Sequence, residues 1–157
     1  MITGLFHIAI NSRDVERSRR FYTEVLGLQE APRPNLGVPG YWLKVPGPLA
    51  DSIIHIIGTN DASAGVGEPR GSGWLDHISL AAIGYRDYVA RFRRFGLEWK
   101  ENVIPDAGLW QLFVRDPCGV QVELTFSAAA ETGGEPVIPP ERRYVPGTWQ
   151  FRVPEEG

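Results

Sequence analysis

The chain has 157 residues, 43% of them hydrophobic and 22% charged, a balance that suits one globular domain or two small modules sharing a core and argues against a disordered chain or a membrane protein. Sixteen Lys and Arg against 19 Asp and Glu give a formal net charge of −3, without the basic excess that nucleic-acid binding requires. Cys118 is the single cysteine, so no intrachain disulfide can form, and the opening MITGLFHIAI has neither the basic start nor the cleavage site of a secretion signal; a cytoplasmic protein is expected, with no nucleic-acid or membrane partner.

In chain order, Phe6-His7-Ile8-Ala9-Ile10 predicts a strand. The spacing of Val15, Tyr22, Val25 and Leu26 predicts a helix over 14–26, with Ser12 as its N-cap and Gly27 as its stop. The pattern then changes to period two, with three short strands predicted before a Gly-rich joint at 58–73, GTNDASAGVGEPRGSG. Beyond the joint the same order returns: Asp76-His77-Ile78-Ser79-Leu80, a helix over 85–95 with Tyr85, Tyr88, Val89, Phe92 and Phe95 on one face, Gly96, and three more strands. His7 and His77 are 70 residues apart, Gly27 and Gly96 are 69 apart, and Ile54-His55-Ile56 matches Val122-Glu123-Leu124 at a shift of 68. Tyr41-Trp42-Leu43 is aligned with Leu109-Trp110-Gln111 at that same shift.

The predicted fold class is α+β, with two βαβββ modules, 1–57 and 74–126, forming a curved mixed sheet around a shared cavity within one domain. The repeat stops near 127. A small-residue linker at 127–135 leads into a Pro-rich segment that carries Arg142, Arg143, Tyr144, Trp149 and Phe151 and is expected either to pack as an arm on the body or on a partner subunit or to form a mobile tail. Paired modules leave sheet edges to cover, so a homodimer is expected.

Alternation along each strand selects the candidate chemistry. Gln121, Glu123 and Thr125 share one face of the last strand while Val122 and Leu124 share the other; His77 lies with Ser79, and His55 lies opposite in sense to Ile54 and Ile56. If the modules pair with pseudo-two-fold symmetry, within one chain or by exchange with a partner's module, His7, His55, His77 and Glu123, which include every histidine of the chain, meet in one hollow. A carboxylate among apolar residues is costly unless a cation or hydrogen-bond donors compensate it; a divalent metal would do so, and one held by two imidazoles and one carboxylate keeps positions open for substrate oxygens. Trp42 and Trp110 either flank a flat ligand there or fill the core, with Phe113 and Gln121 as further candidate wall residues.

The paired modules, the run Phe21-Tyr22-Thr23-Glu24-Val25-Leu26-Gly27-Leu28 and the turn Arg115-Asp116-Pro117-Cys118-Gly119 resemble the vicinal oxygen chelate superfamily, which includes glyoxalase I, extradiol dioxygenases, fosfomycin-resistance transferases and methylmalonyl-CoA epimerase. The resemblance covers 2–126 and implies that His7, His77 and Glu123 hold a divalent ion (Fe, Mn, Zn or Ni), with His55 as fourth ligand or general acid-base. It implies a metal-dependent enzyme that chelates a small-molecule substrate through two adjacent oxygens, in the first place a lyase or isomerase that stabilises an enolate. An extradiol ring-cleaving dioxygenase is the second possibility, favoured by an imidazole at His55, although the position ten residues before Glu123 is Phe113 and lacks the hydroxyl those enzymes carry. A metal-free ligand-binding protein of the bleomycin-resistance kind is the third.

Overall fold

Backbone hydrogen bonding assembles the predicted strands into two four-stranded sheets, one for each half of the repeat. The computed structural model describes residues 6–47, 52–58 and 75–145; the joint beyond Gly58 and the arm residues Trp149 and Phe151 lie outside them. The chain divides into two compact units, Met1–Glu68 and Pro69–Gly157.

The first unit contains β1 (Ile8–Ser12), α1 (Val15–Arg20) running on into a π-helical turn (Phe21–Val25), β2 (Gln29–Ala31), β3 (Gly40–Lys44) and β4 (Ser52–Gly58). Its sheet has the order β1-β4-β3-β2, with β1 parallel to β4 and the other pairs antiparallel. The second unit repeats this with β5 (Ile78–Ala82), α2 (Tyr85–Arg94), β6 (Trp99–Ile104), β7 (Leu109–Arg115) and β8 (Gln121–Ser127), in the order β5-β8-β7-β6. The α+β class and the doubled βαβββ order are therefore those expected.

The helix ends follow their local chemistry. Ser12 does not cap α1: it is still paired with Gly58 in the β1/β4 ladder, and its buried hydroxyl lies 2.8 Å from that of Ser18. Asp14 caps the helix instead, accepting from Arg17 N at 2.9 Å. Helix α2 closes in a Schellman motif, with Leu97 N bonded to Phe92 O, Gly96 N bonded to Arg93 O, and Gly96 at φ 63, a conformation open to glycine.

Alternation then sorts the side chains. Leu43, Ile54 and Ile56 are fully buried in the first unit, as are Leu112, Val114, Val122 and Phe126 in the second. These positions form the cores, and His55 and Glu123, which alternate with them along β4 and β8, project from the opposite faces.

The tight turn between β7 and β8 fixes the register of the second unit. The buried Asp116 carboxylate accepts from Cys118 N and Val120 N, both at 2.8 Å, and Gly119 N bonds to Asp116 O. This sets Phe113 directly across from Glu123.

The described part of the arm packs on the second unit. Glu131 accepts from Gly84 N and Tyr85 N at 2.8 and 2.9 Å, capping α2 from a distant part of the chain, and the Arg86 guanidinium donates to the carbonyls of Thr132, Gly133 and Gly134. Further on, the Arg142 guanidinium lies 3.2 Å from the Trp99 ring centre, and Tyr144 N bonds to Glu101 O at 2.9 Å.

Candidate functional site

In the second unit, Glu123 is 5% exposed, and its two oxygens have different surroundings. Oε1 accepts from Ser79 Oγ and from Gln111 Nε2, each at 2.9 Å, and from the Thr125 hydroxyl. Asn102 Nδ2 donates to the Gln111 carbonyl oxygen at 2.8 Å, which turns the Gln111 amide nitrogen toward the acid. Three donors therefore converge on one oxygen and fix the orientation of the carboxylate. Oε2 faces His77 Nε2 at 3.0 Å.

His77 immediately precedes β5, and its Nδ1 lies 2.7 Å from Asp76 Oδ1. An ionised carboxylate only accepts, so Nδ1 carries the proton and Nε2 is left to deal with Glu123. Nε2 then presents either a second proton or a bare lone pair. Two lone pairs facing at that distance repel, so this pair of atoms calls for a cation, whether a proton or a metal ion. The donor set of one imidazole nitrogen and one fixed carboxylate oxygen suits a borderline divalent metal, and the carboxylate on the far ring nitrogen is the usual partner of a ligating histidine.

In the first unit the register of β3 and β4 places Trp42 across from His55. The two rings stack with centroids 4.4 Å apart and planes within 7° of parallel. His7 stacks on the other face of His55 at 3.9 Å, and Phe6 packs edge-on to His7. With both faces covered, His55 can engage a ligand only through its ring edge. Burial holds its imidazole below the ordinary value, and nearby His7 and Arg33 act in the same direction.

The structure therefore brings His7 and His55 together in one unit and His77 and Glu123 together in the other. Neither unit by itself gathers three candidate ligands among its described residues.

The wall residues divide differently from the repeat alignment. Trp42 is paired with His55 and Phe113 with Glu123, so the counterpart of Trp42 is Phe113 and not Trp110. Trp110 is 4% exposed and packs edge-on to Tyr85 of α2, which makes it a core residue of the opposite sheet face. The repeat match of Trp42 with Trp110 fails because 13 residues separate Trp42 from His55 and only 10 separate Phe113 from Glu123, so the shorter path from β7 to β8 moves the partner by three positions. Phe113 stands edge-on to His77 with centroids 5.9 Å apart, and Gln121 bridges from Arg115 to Asp76.

Sequence reasoning did not single out Asp76, Gln111, Asn102 or Tyr144. Asp76 was legible as a carboxylate next to a candidate ligand. Tyr144 was not, because only the path of the arm brings it over β7, where its ring stacks on Phe113 at 3.7 Å.

Residues 4–124 match the model of the Glyoxalase/Bleomycin resistance protein/Dioxygenase superfamily, and the chain belongs to that superfamily. Over 127 residues it is 25% identical to Glyoxylase I 4 of Arabidopsis thaliana, a match that spans 78% of this chain and 70% of the plant protein. Among solved structures it is similar to a variant of the Listeria monocytogenes fosfomycin resistance protein FosX complexed with Mn(II) and 1S,2S-dihydroxypropylphosphonic acid (16% identity, TM-score 0.60, covering 81% of this chain and 94% of that one). It is also similar to lactoylglutathione lyase from Agrobacterium tumefaciens (16% identity, TM-score 0.56, 82% and 96%) and to TnmS3, an antibiotic binding protein from a Streptomyces species (20% identity, TM-score 0.55, 80% and 97%). At these identities the likeness is one of fold. Among the described residues no helix is long and apolar enough to cross a membrane.

Proposed function

We propose that the protein is a divalent-metal-dependent enzyme of glyoxalase type, a lyase or isomerase that takes a small substrate through two adjacent oxygens. The observation that carries this reading is the His77 Nε2 to Glu123 Oε2 approach at 3.0 Å, with Oε1 engaged by three donors and Nδ1 held by Asp76. Both groups are oriented as ligands before any ion arrives. His7 is the third ligand of the proposal and His55 a fourth ligand or proton carrier, with Fe, Mn, Zn or Ni as the ion. The Mn(II) in the Listeria relative and the lyase activity named for the Agrobacterium relative support that choice.

When bound, such an ion supplies Lewis acidity toward negative charge developing on a substrate oxygen. The chain's own residues do the rest. Ser79, Gln111 and Thr125 hold the Glu123 carboxylate in place, Asp76 fixes the His77 ring, and His55 offers a ring nitrogen that can take up a proton. Trp42 restricts His55 to its edge. The protein is proposed to work as a cytoplasmic homodimer.

The neutral imidazole of His55 also favours a second reading, extradiol ring cleavage, in which it carries the acid-base role. Elemental analysis of protein purified without added metal tests the main proposal, which expects about one divalent ion per chain. Oxygen uptake with a catechol after anaerobic loading with Fe(II) would select the dioxygenase. Ligand sequestration that a chelator leaves unchanged would select a metal-free binding protein like the antibiotic-binding relative.

A further inference from the structure

The C-terminal arm is more than a cover for the edge of the second sheet. Its residue Arg143 pairs with Glu101 in a single parallel bridge, and the chain then carries Tyr144 across β7 onto the face that bears Glu123. The Tyr144 ring lies flat on Phe113, with centroids 3.7 Å apart and planes within 10°. This stack fixes where the hydroxyl goes. Gln121 Nε2 donates to the Tyr144 oxygen at 3.1 Å, and the phenol proton points to Asp76 Oδ1 at 3.4 Å. Gln121 Nε2 also lies 3.3 Å from the same Asp76 oxygen, which is the one that holds His77 Nδ1 at 2.7 Å.

A continuous set of contacts therefore runs from the arm through the Asp76 carboxylate to the imidazole that faces Glu123. The Asp76 side chain is 61% exposed, and an exposed carboxylate beside a histidine on a strand-leading residue has several open rotamers. Donors on its Oδ1 from Tyr144 and Gln121 narrow that choice. Gln121 is itself anchored, buried to 4% exposure and in contact with Arg115 through its carbonyl oxygen.

We infer that Tyr144 is a positioning residue for the metal centre: the arm delivers a phenol that orients Asp76, and Asp76 in turn orients His77 for ligation. This inference rests on the metal-binding reading above. It adds that the arm, although outside the repeat, belongs to the functional centre of the second unit.

The test is Co(II) binding to the full-length protein, read by the intensity and shape of its visible d–d absorption and by competition with a chelator. Wild type is compared with Glu123→Gln, Tyr144→Phe, Asp76→Ala and the Asp76→Ala/Tyr144→Phe double variant. The Tyr144→Phe change keeps the stack on Phe113 and removes only the hydroxyl. Partners of a ligating histidine typically change metal affinity by 10- to 100-fold, so Asp76→Ala should weaken Co(II) binding by about 10-fold or more, and Tyr144→Phe, one step further out, by about 3- to 10-fold. Because Tyr144 acts through Asp76, the double variant should bind as Asp76→Ala alone does. The Co(II) spectrum of Tyr144→Phe should change shape as well.

If wild type binds Co(II), Glu123→Gln abolishes binding and Tyr144→Phe matches wild type, the positioning role is overturned and the metal reading stands. Additive losses in the double variant also overturn it, since the effect of Tyr144 would then bypass Asp76. If wild type does not bind Co(II), or Glu123→Gln binds equally well, the metal reading itself falls and the inference falls with it.

Discussion

Trp42 and His55 lie face to face across neighbouring strands, 4.4 Å between ring centroids, with the second face of the imidazole taken by His7. The stack excludes water from the ring faces and explains why burial is the leading cause of the lowered His55 value. Folding therefore holds His55 neutral where the unfolded chain protonates it. The unfolded state binds more protons, so this contribution to stability is intact above the ordinary value of 6.5 and is lost as pH falls below it. Urea midpoints at pH 7.5 and 5.5 should fall more steeply for wild type than for His55→Gln.

Glu123→Gln keeps the shape of the side chain and replaces the carboxylate that Ser79, Gln111 and Thr125 hold in place. Metal content should drop from about one ion per chain to near zero, and activity should fall by at least about 100-fold, while the far-ultraviolet dichroism stays native. Occupancy that remains near one ion would remove Glu123 from the ligand set. His55→Ala separates the two roles proposed for that residue: intact metal with lost turnover indicates proton transfer, and lost metal indicates ligation.

On the opposite face of the second sheet, the buried Glu101 accepts from the Tyr85 hydroxyl and from Trp99 Nε1 at 3.0 Å. Burial, followed by the bond to Glu101, pushes the Tyr85 phenol well above its ordinary range, so it remains a donor at all ordinary pH. Tyr85→Phe leaves one bond on a buried carboxylate oxygen unmade. Urea denaturation should show a loss of about 1–3 kcal/mol, with metal binding unchanged.

The linker contributes to the stability of α2. Glu131→Ala leaves Gly84 N and Tyr85 N without their carboxylate, and glycine at the N-cap has no side chain to replace it. A loss of about 0.5–2 kcal/mol is expected in thermal or urea melts. Hydrogen exchange should accelerate first at the start of α2.

Much of this architecture was readable from residue order. The 70-residue spacing of His7 and His77, and the alternation of Ile54-His55-Ile56 and Val122-Glu123-Leu124, follow from strand geometry, in which neighbouring side chains must take opposite faces. Gly27 and Gly96 stopped their helices where predicted, because left-handed backbone there favours a residue without Cβ.

Other features required the fold. Ser12 and Asp14 are both acceptable caps by composition, and only the β1/β4 ladder, which holds Ser12 in the strand, decides for Asp14. Trp42 and Trp110 look equivalent in the repeat, yet the short turn at Asp116 sets a register that buries Trp110 against Tyr85. Asp76, Gln121 and Tyr144 meet although Tyr144 is 68 residues from Asp76, and no local pattern encodes such a contact. By itself the sequence determined which side chains share a strand face, since that depends only on the pleat. Which oxygen of Glu123 is left for a ligand, and which arm residue reaches Asp76, were decided by tertiary packing, because hydrogen bonds between distant segments exist only once the sheet and the arm have closed on each other.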